Sequence, residues 1–198
     1  MAGSRGDSNI SAKEKEKRMS TYDTALSMAR QGQKVELRTM PATESGVLKT
    51  LLAHPLVQPH ILLRQGASSP HAYLDKLAAR MLHAADPCAL HAGIYALEQQ
   101  ELIGTVSLQN WNRYENKAVL GYLLNPLWWG RGLATEAVGL LLDYSFQELG
   151  LLRAEGRCRG DNLRSERVMI KNGLTLERVL PMPGSPSDVM KVFTLLHN

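Results

Sequence analysis

A glycine-rich turn between an apolar strand and an apolar helix constrains the fold of this chain more than any other feature. The turn, Trp128-Trp129-Gly130-Arg131-Gly132, follows a strand-like run over residues 119–124 and leads into a helix-period segment over residues 137–146. The two glycines lack the Cβ atoms that would keep a ligand away from the backbone. The first N–H groups of a helix have no internal partners and lie at the positive end of its dipole. The segment therefore predicts an anion site suited to a pyrophosphate.

Two well-known phosphate motifs do not fit this turn. The dinucleotide-binding pattern G-x-G-x-x-G would need glycine or alanine where Thr135 stands, and a P-loop would need Gly-Lys-Ser/Thr after the glycines. Taken alone, the two glycines are equally compatible with a tight strand-to-helix connection. A second motif separates these readings. It is Asn162-Leu163-Arg164-Ser165-Glu166-Arg167-Val168, followed by Lys171-Asn172-Gly173-Leu174, and it comes after a strand-like stretch over residues 152–159.

The order and spacing of these motifs resemble those of the GNAT N-acetyltransferases. Gly-x-Gly-x-Ala-Thr-Glu-Ala begins at Gly130, Asn-x-x-Ser-x-Arg-Val at Asn162 and Lys-Asn-Gly-Leu at Lys171. The closest branch is the RimJ/RimL-like one, the ribosomal-protein-alanine acetyltransferases and their relatives. The likeness extends from about residue 35 to residue 196. It is specific for the superfamily but not for a substrate.

The hydrophobic periodicity predicts one α/β domain with a mixed, mostly antiparallel sheet and helices on both faces, in agreement with the GNAT fold that the resemblance implies. We assign residues 35–198 to this domain and residues 1–34 to an N-terminal extension. The predicted strands cover residues 35–40, 90–97, 102–111, 117–124, 152–159, 175–180 and 188–196. The predicted helices cover residues 43–52, 70–84, 132–148 and 163–172.

The composition indicates a soluble globular protein in a reducing, cytoplasmic setting. No apolar run approaches the ~20 residues of a membrane span, and the N-terminus lacks the apolar stretch of a secretion signal. Cys88 and Cys158 form no C-x-x-C pattern, and the six histidines form no H-x-x-x-H pair, so no metal site is expected.

The extension carries half of the net charge of +4, because residues 1–20 hold five basic and three acidic side chains. Apolar residues at helical spacing predict a helix over residues 14–30, after a mobile start. One interpretation is a basic arm that contacts RNA or the ribosome. The other, which we favour, is a solvated extension whose helix packs on the domain or on a sister subunit. A homodimer is an expectation from the family only.

The resemblance implies that acetyl-CoA is the cosubstrate and that no metal takes part. Backbone amides of the turn and of the first helical residues would bind the pyrophosphate. The strand ending at Leu123-Leu124 would be splayed from its neighbour, so that its free groups pair with the pantetheine arm and the Leu123 N–H polarises the acetyl carbonyl. Trp129, where the family often has Arg or Gln, either flanks the ligand or packs under the turn. The predicted cofactor contacts are Leu123, Leu124, Trp129, Gly130, Arg131, Gly132, Leu133, Ala134, Thr135, Asn162 and Ser165.

Asn162 and Ser165 lie one helical turn apart and could face the same groove. Asn162 is also a suitable N-cap residue, and capping is compatible with a cofactor contact. For Ser165 the alternatives are an exposed helical hydroxyl or a general acid that returns a proton to the leaving thiolate.

The general base is not evident, because Val119 stands where the family typically has a carboxylate, two residues before Gly121. Glu177 is a weak candidate, and Glu136 suits a structural role at a helix start. An α-amine, with a pKa of about 7.7–8.0, needs a base less than a lysine does. The missing carboxylate therefore favours an α-amine, or another amine of low pKa, as the acceptor. The other candidates are Glu98, Tyr114, Glu115 and Tyr122.

The sequence thus predicts an acetyl-CoA-dependent N-acetyltransferase in which a protein N-terminal α-amine or a small-molecule amine attacks the thioester directly. One alternative acts on polyamines or aminoglycosides, and Glu98, Glu101 and Glu115 could supply the clustered acids that it requires. The other alternative is a catalytically silent acyl-CoA-binding module, and the observation that motivates it is Val119 in place of a carboxylate.

Overall fold

The computed structural model describes residues 28–61, 70–83, 86, 88–182 and 185–197. Eight strands form one sheet in the order β1-β2-β3-β4-β5-β6-β8-β7, in which β5 and β6 are parallel and all other neighbours are antiparallel. The strands are β1 Ala29–Gln31, β2 Val35–Arg38, β3 Leu90–Ala96, β4 Leu102–Asn112, β5 Lys117–Leu124, β6 Arg153–Arg159, β7 Thr175–Met182 and β8 Ser185–Leu196. The α-helices are α1 Ser45–Ala53, α2 Pro70–Leu82, α3 Leu133–Gln147 and α4 Leu163–Lys171.

The predicted mixed sheet with helices on both faces is confirmed, and the extension differs from the prediction. The sheet begins at Ala29, before the predicted domain start at residue 35, because β1 pairs with β2 as a short hairpin. The helix predicted over residues 14–30 is wrong at its end, since Ala29 and Arg30 lie in β1. Met28 is buried. The basic arm and the remainder of that helix fall outside the described residues.

Helices cover both faces of the sheet. We call the face that packs against α3 and α4 the α3 face, and the face that packs against α1 and α2 the α1 face. The α3 face carries the larger core, in which Ala118 and Leu120 of β5 pack with Leu141 of α3 and Met169 of α4. The α1 face carries a smaller core under α1 and α2, and Leu123 packs against it. Even-numbered residues of β5 therefore point to the α3 face and odd-numbered ones to the α1 face. No described helix is long and apolar enough to cross a membrane.

Glu136, in the first turn of α3, fixes this helix to the β1–β2 hairpin. Its Oε1 accepts hydrogen bonds from the backbone N–H groups of Lys34, at 2.8 Å, and Val35, at 3.3 Å. A Cβ at Gly32 would collide with the same oxygen, so the glycine leaves space for the carboxylate. Glu136 thus has the structural role that its position predicts.

His91, a half-buried residue, is the titratable group that most clearly couples the fold to pH. It lies on β3 opposite Ser107, and both of its ring nitrogens are buried without a hydrogen-bond partner among the described residues. Burial, with a smaller contribution from the Arg80 charge, lowers the pKa of His91 to about 4, although Asp86 acts in the opposite direction. The imidazole is therefore neutral at pH 7.

We expect His91 to make the fold sensitive to mild acid. The unfolded chain takes up a proton here below about pH 6.5, which the folded chain does not bind until about pH 4. The stability is present above pH 6.5 and is lost as the pH falls, by about 1 kcal/mol per pH unit between these values. Urea denaturation at pH 7.5 and pH 5 should show a smaller pH dependence in His91→Gln. His83→Gln, which alters an exposed histidine, is the control; equal pH dependence in both variants would contradict the assignment.

Removing the Glu136 carboxylate should loosen the hairpin. Glu136→Ala leaves two N–H groups without their acceptor, and we expect a loss of about 1–3 kcal/mol in the free energy of unfolding. Glu136→Gln keeps one acceptor oxygen and should lose less. Chemical denaturation measures both, and equal stability of the alanine variant and the unsubstituted chain would disprove the anchoring role.

Candidate functional site

The parallel pairing between β5 and β6 stops partway along both strands. Lys117–Leu120 pair in register with residues 153–156, and no pairing follows. Beyond that point β5 continues against β4 as far as Leu124, and β6 continues against β8 as far as Arg159. The two strands therefore part, and the facing edges hold backbone groups that the sheet does not pair. We call this opening the cleft.

Strand alternation identifies which β5 groups face the cleft. The Asn125 N–H donates to Ile103 O of β4 at 2.8 Å, whereas Asn116 O accepts from Leu152 N on the β6 side at 2.7 Å. Since N–H and C=O directions alternate along a strand, Tyr122 and Leu124 face the cleft and Leu123 faces β4. Leu123, the predicted oxyanion donor, therefore directs its N–H towards β4 and not into the cleft. The backbone groups available there are the N–H and C=O of Tyr122 and the N–H of Leu124.

Trp129 connects the end of β5 to the glycine-rich turn. Its indole N–H donates to Leu124 O at 2.7 Å, and the side chain is partly buried against the α3-face core. This packing agrees with the interpretation that Trp129 packs under the turn, and the contact with a ligand stays a prediction. The bond fixes the turn at the mouth of the cleft.

The turn has the geometry of an anion site. Gly130 and Gly132 have φ angles of +79° and +81°, which side chains with a Cβ rarely adopt, and a Cβ at either position would point into open space. Gly132 is the N-cap of α3, and the first helical bond runs from Glu136 N to Gly132 O at 3.1 Å. The N–H groups of Leu133, Ala134 and Thr135 precede that bond and so have no acceptor within the helix.

Two guanidinium groups add positive charge on either side of the turn. Arg131 lies over the Trp128 ring at 4.9 Å, and Arg164 of α4 lies over the Trp129 ring at 4.8 Å. Both distances are within the range of a cation–π interaction. Trp129 thus brings a cation from α4 to a position where the family often has Arg or Gln.

The second motif builds α4 and fixes it to the turn. Asn162 caps α4, since its Oδ1 accepts from Ser165 N at 3.1 Å. Asn172, at the end of α4, donates from Nδ2 to Thr135 O of α3 at 3.2 Å. Sequence reasoning gave Asn172 no role, although its position in the Lys-Asn-Gly-Leu motif was the available signal. Asn172 positions the first turn of α3.

Ser165 and Tyr122 form a hydroxyl pair on the α3 face of the cleft. Their side-chain oxygens lie 2.7 Å apart, and the Tyr122 hydroxyl also lies 2.8 Å from Ser165 O. Burial raises the pKa of Tyr122 above its usual value, so the phenol stays protonated and cannot serve as a base. Burial likewise raises the pKa of the neighbouring Cys158 thiol to about 11. Ser165 is therefore half-buried in a group of proton donors, rather than an exposed helical residue.

The predicted acidic candidates are engaged elsewhere. Glu136 holds the β1–β2 hairpin. Glu177 Oε2 accepts from Thr194 Oγ1 at 2.7 Å and from Arg153 Nη2 at 2.5 Å, and these bonds lower its pKa. Glu98 lies in the β3–β4 turn, while Tyr114 and Glu115 lie in the β4–β5 turn at the other end of β4. None of these acidic residues is placed by the structure at the cleft.

A carboxylate that sequence reasoning missed lies directly across from Val119. Glu155 of β6 pairs in register with Val119 of β5, so both side chains point to the α1 face, one position before the last paired residues, Leu120 and Gly156. It lines an open groove of about 530 Å³ along the paired part of the two strands, and Arg157 is the groove residue that lies beyond that pairing. No local motif indicates Glu155, because only the parallel register places it opposite Val119. The groove is lined by Asn110, Glu115, Lys117, Ala118, Val119, Arg153, Glu155, Arg157, Glu177 and Arg178.

The His, Cys, Asp and Glu side chains of the described ranges form no group of three that could hold a metal ion.

Comparison with known proteins places this architecture in a family. Residues 34–175 match the family described as an acetyltransferase (GNAT) domain. The probable N-acetyltransferase YjcK of Bacillus subtilis is 42% identical over 90 residues, which are 45% of this chain and 50% of that protein. The ribosomal-protein-serine acetyltransferase of Escherichia coli is 32% identical over 83 residues, 42% of this chain and 46% of that protein. The chain thus spans about half the length of the curated relatives that it matches.

A solved structure shares the fold over most of the chain. The spermidine N-acetyltransferase of Vibrio cholerae, in complex with CoA and spermine, superposes with a TM-score of 0.69 and 19% identity. The match covers 83% of this chain and 96% of that one. A family match over most of the chain, a strand that leaves its parallel neighbour and a glycine turn at the start of α3 agree with one another: the chain belongs to the GNAT acetyltransferase family.

Proposed function

We propose that this protein transfers the acetyl group of acetyl-CoA to an amine, either a protein N-terminal α-amine or a small-molecule amine. The observation that carries the proposal is the adjacency of two backbone sites, the unpaired β5 edge and the amide-lined turn before α3. A ligand that carries both amides and a diphosphate would satisfy both of them. The relatives named as N-acetyltransferases support the same activity.

The residues present fit coenzyme A. The cleft-facing groups of Tyr122 and Leu124 would pair with the amides of the pantetheine arm, as a further strand would. The free amides of the turn would bind the diphosphate, with charge support from Arg131 and Arg164. Acetyl-CoA, when bound, supplies the activated acetyl group. The Tyr122 and Leu124 N–H groups are the backbone donors of the cleft that would polarise its carbonyl. The proposed contacts along the turn and helices are Trp129, Gly130, Arg131, Gly132, Leu133, Ala134, Thr135, Asn162 and Ser165.

Ser165 is proposed to return the proton to the leaving sulfur, with Tyr122 as its partner. The phenol has a single hydrogen, which it donates either to Ser165 O or to Ser165 Oγ, and when it donates to Oγ the serine proton is free to point into the cleft. Burial keeps the phenol protonated, so it continues to donate this bond to the Ser165 oxygen while the serine gives its proton to the sulfur. The proton released by the amine, passed through water, would restore the serine hydroxyl. A two-hydroxyl relay needs no charged group in this part of the cleft.

The choice of acceptor rests on the acidic candidates, none of which is an unengaged carboxylate at the cleft in the described part of the chain. An α-amine is partly neutral near pH 7.5, so water at the cleft can take its proton, whereas a lysine amine would need a strong base. Glu98, Glu101 and Glu115 do not form a common acidic groove, which weakens the polyamine alternative. The silent-module alternative requires coenzyme binding without turnover. A homodimer, RNA or ribosome contact through the N-terminal arm, and cytoplasmic location stay predictions.

The coenzyme site is tested by two glycine variants at opposite ends of α3. Gly132→Asp places a negative charge at the anion site and should weaken coenzyme A binding at least about ten-fold, as measured by calorimetry. Gly150→Asp introduces similar backbone strain, since Gly150 has a φ of +66° with open space around its Cβ position. This control should lose stability but retain coenzyme affinity. Unchanged affinity in Gly132→Asp would refute the site.

The transferase activity is tested by thiol release from acetyl-CoA over a panel of amines. We expect turnover with peptides that have a free α-amine and none with N-terminally blocked ones. Turnover with spermidine alone would favour the polyamine alternative. Coenzyme binding without release on any amine would establish the silent module instead.

Ser165→Ala should lower kcat about 100-fold, the effect of a lost general acid, with little change in coenzyme affinity. Tyr122→Phe should show a smaller decrease, because it removes only the partner. Ser145→Ala is the matched control: Ser145 is a buried helical serine whose Oγ bonds Leu141 O within α3. A Ser165→Ala enzyme with the kcat of the Ser145→Ala enzyme would exclude the relay.

A further inference from the structure

The groove beside the cleft has a charge pattern that bears on the acceptor. On its α1 face, Arg157 is the first β6 side chain beyond the last paired residue, Gly156. Any acceptor that approaches the cleft from the α1 face therefore passes Arg157. Arg153 and Arg178 line the same groove.

Glu155 is the centre of this arrangement and is the least exposed of its charged groups. Its side chain is 12% exposed, against 29% for Arg153, 38% for Arg157 and 50% for Arg178. Arg157 bonds Glu155 Oε1 through Nε and Nη2, both at 2.6 Å, and Arg178 Nη2 bonds Oε2 at 3.1 Å. The carboxylate thus lies beneath the guanidinium groups and holds them in fixed positions.

The guanidinium groups retain donors for a ligand. A guanidinium has five N–H donors, and the bonds to Glu155 use only part of those on Arg157 and Arg178. Four basic side chains, Lys117, Arg153, Arg157 and Arg178, line the groove together with three acidic ones, Glu115, Glu155 and Glu177. Each carboxylate is already paired with one of these basic groups, so the solvent-facing layer of the groove carries a surplus of positive charge. Such a layer attracts carboxylates, which bind guanidinium groups in a bidentate manner, and it repels polyamines.

We propose that the groove is the acceptor site and that it selects amines accompanied by a nearby carboxylate. The acceptor would be an acidic N-terminal peptide or an amino acid whose own carboxylate is free. Arg157 and Arg178 would bind the carboxylate while the amine enters the cleft. This inference rests on the proposed function for the amine, but the groove's preference can be measured by binding alone.

The experiment compares matched acceptors in binding and in turnover. Two peptides, Ser-Asp-Glu and Ser-Asn-Gln with amidated C-termini, differ only in charge, and a free amino acid with its amide forms the second pair. With saturating coenzyme A, calorimetry should show the charged member of at least one pair binding about ten-fold more tightly. The peptide pair and the amino-acid pair distinguish the two sources of the carboxylate.

Variants assign the preference to the groove. Arg157→Gln and Arg178→Gln should each remove most of the difference between the members of a pair and raise the acceptor KM, without changing coenzyme affinity. Lys76→Gln, an exposed lysine of α2, removes the same charge elsewhere and should change nothing. Arg157→Gln leaves Glu155 with fewer partners, so two controls test whether the fold is intact. They are the double variant Glu155→Gln/Arg157→Gln and a thermal melt of each variant.

Two results would overturn the inference. One is equal binding of the charged and uncharged members in both pairs, and the other is a charge preference that survives both arginine substitutions. Either can occur in an active enzyme, so the proposed function would stand. Charge-selective binding without any thiol release would, conversely, support the groove and remove the transferase activity.

Discussion

The interruption of backbone pairing between β5 and β6 governs the rest of this molecule. Beyond Leu120 and Gly156 the two strands have no further pairing with each other, although both continue against their other neighbours. Unpaired backbone groups away from water cost free energy, so such an edge is tolerated where water or a ligand completes it. The two strands are held apart by their other neighbours, β4 and β8. The cleft is therefore a property of the sheet rather than of any one side chain.

Side chains around the cleft mainly hold backbone groups in position. Trp129 fixes the turn to the end of β5, Asn172 fixes α3 to α4, and Glu136 fixes α3 to the first hairpin. Each acts through a hydrogen bond to main-chain atoms. This explains why Trp129 can stand where the family often has Arg or Gln, since its ring supports the Arg164 guanidinium nearby.

The fold and the coenzyme half of the site were predictable from the sequence because both depend on local signals. Hydrophobic periodicity and the stop glycines Gly150 and Gly173 place α3 and α4 to within a residue or two. The proposed acceptor groove was not predictable, since Glu155, Arg157 and Arg178 meet only through strand register. The direction of the Leu123 N–H was not predictable for the same reason. The neighbouring strand towards which an N–H points depends on how the strands pair, and hydropathy carries no information on that pairing. The strand β1 was missed because three residues are too few for a periodic signal.

The parallel pair β5–β6 requires a crossover connection, and α3 is that connection. The strand edge, the turn and both motif helices therefore follow one another without interruption along the chain. By contrast, Arg178 comes from the edge strand β7, the most exposed strand of the sheet. If the groove binds the acceptor as proposed, substitutions in β7 would alter which molecules are accepted while the nucleotide-bearing donor is recognised as before. A lineage of such proteins could thus diversify its targets by drift on one outer strand.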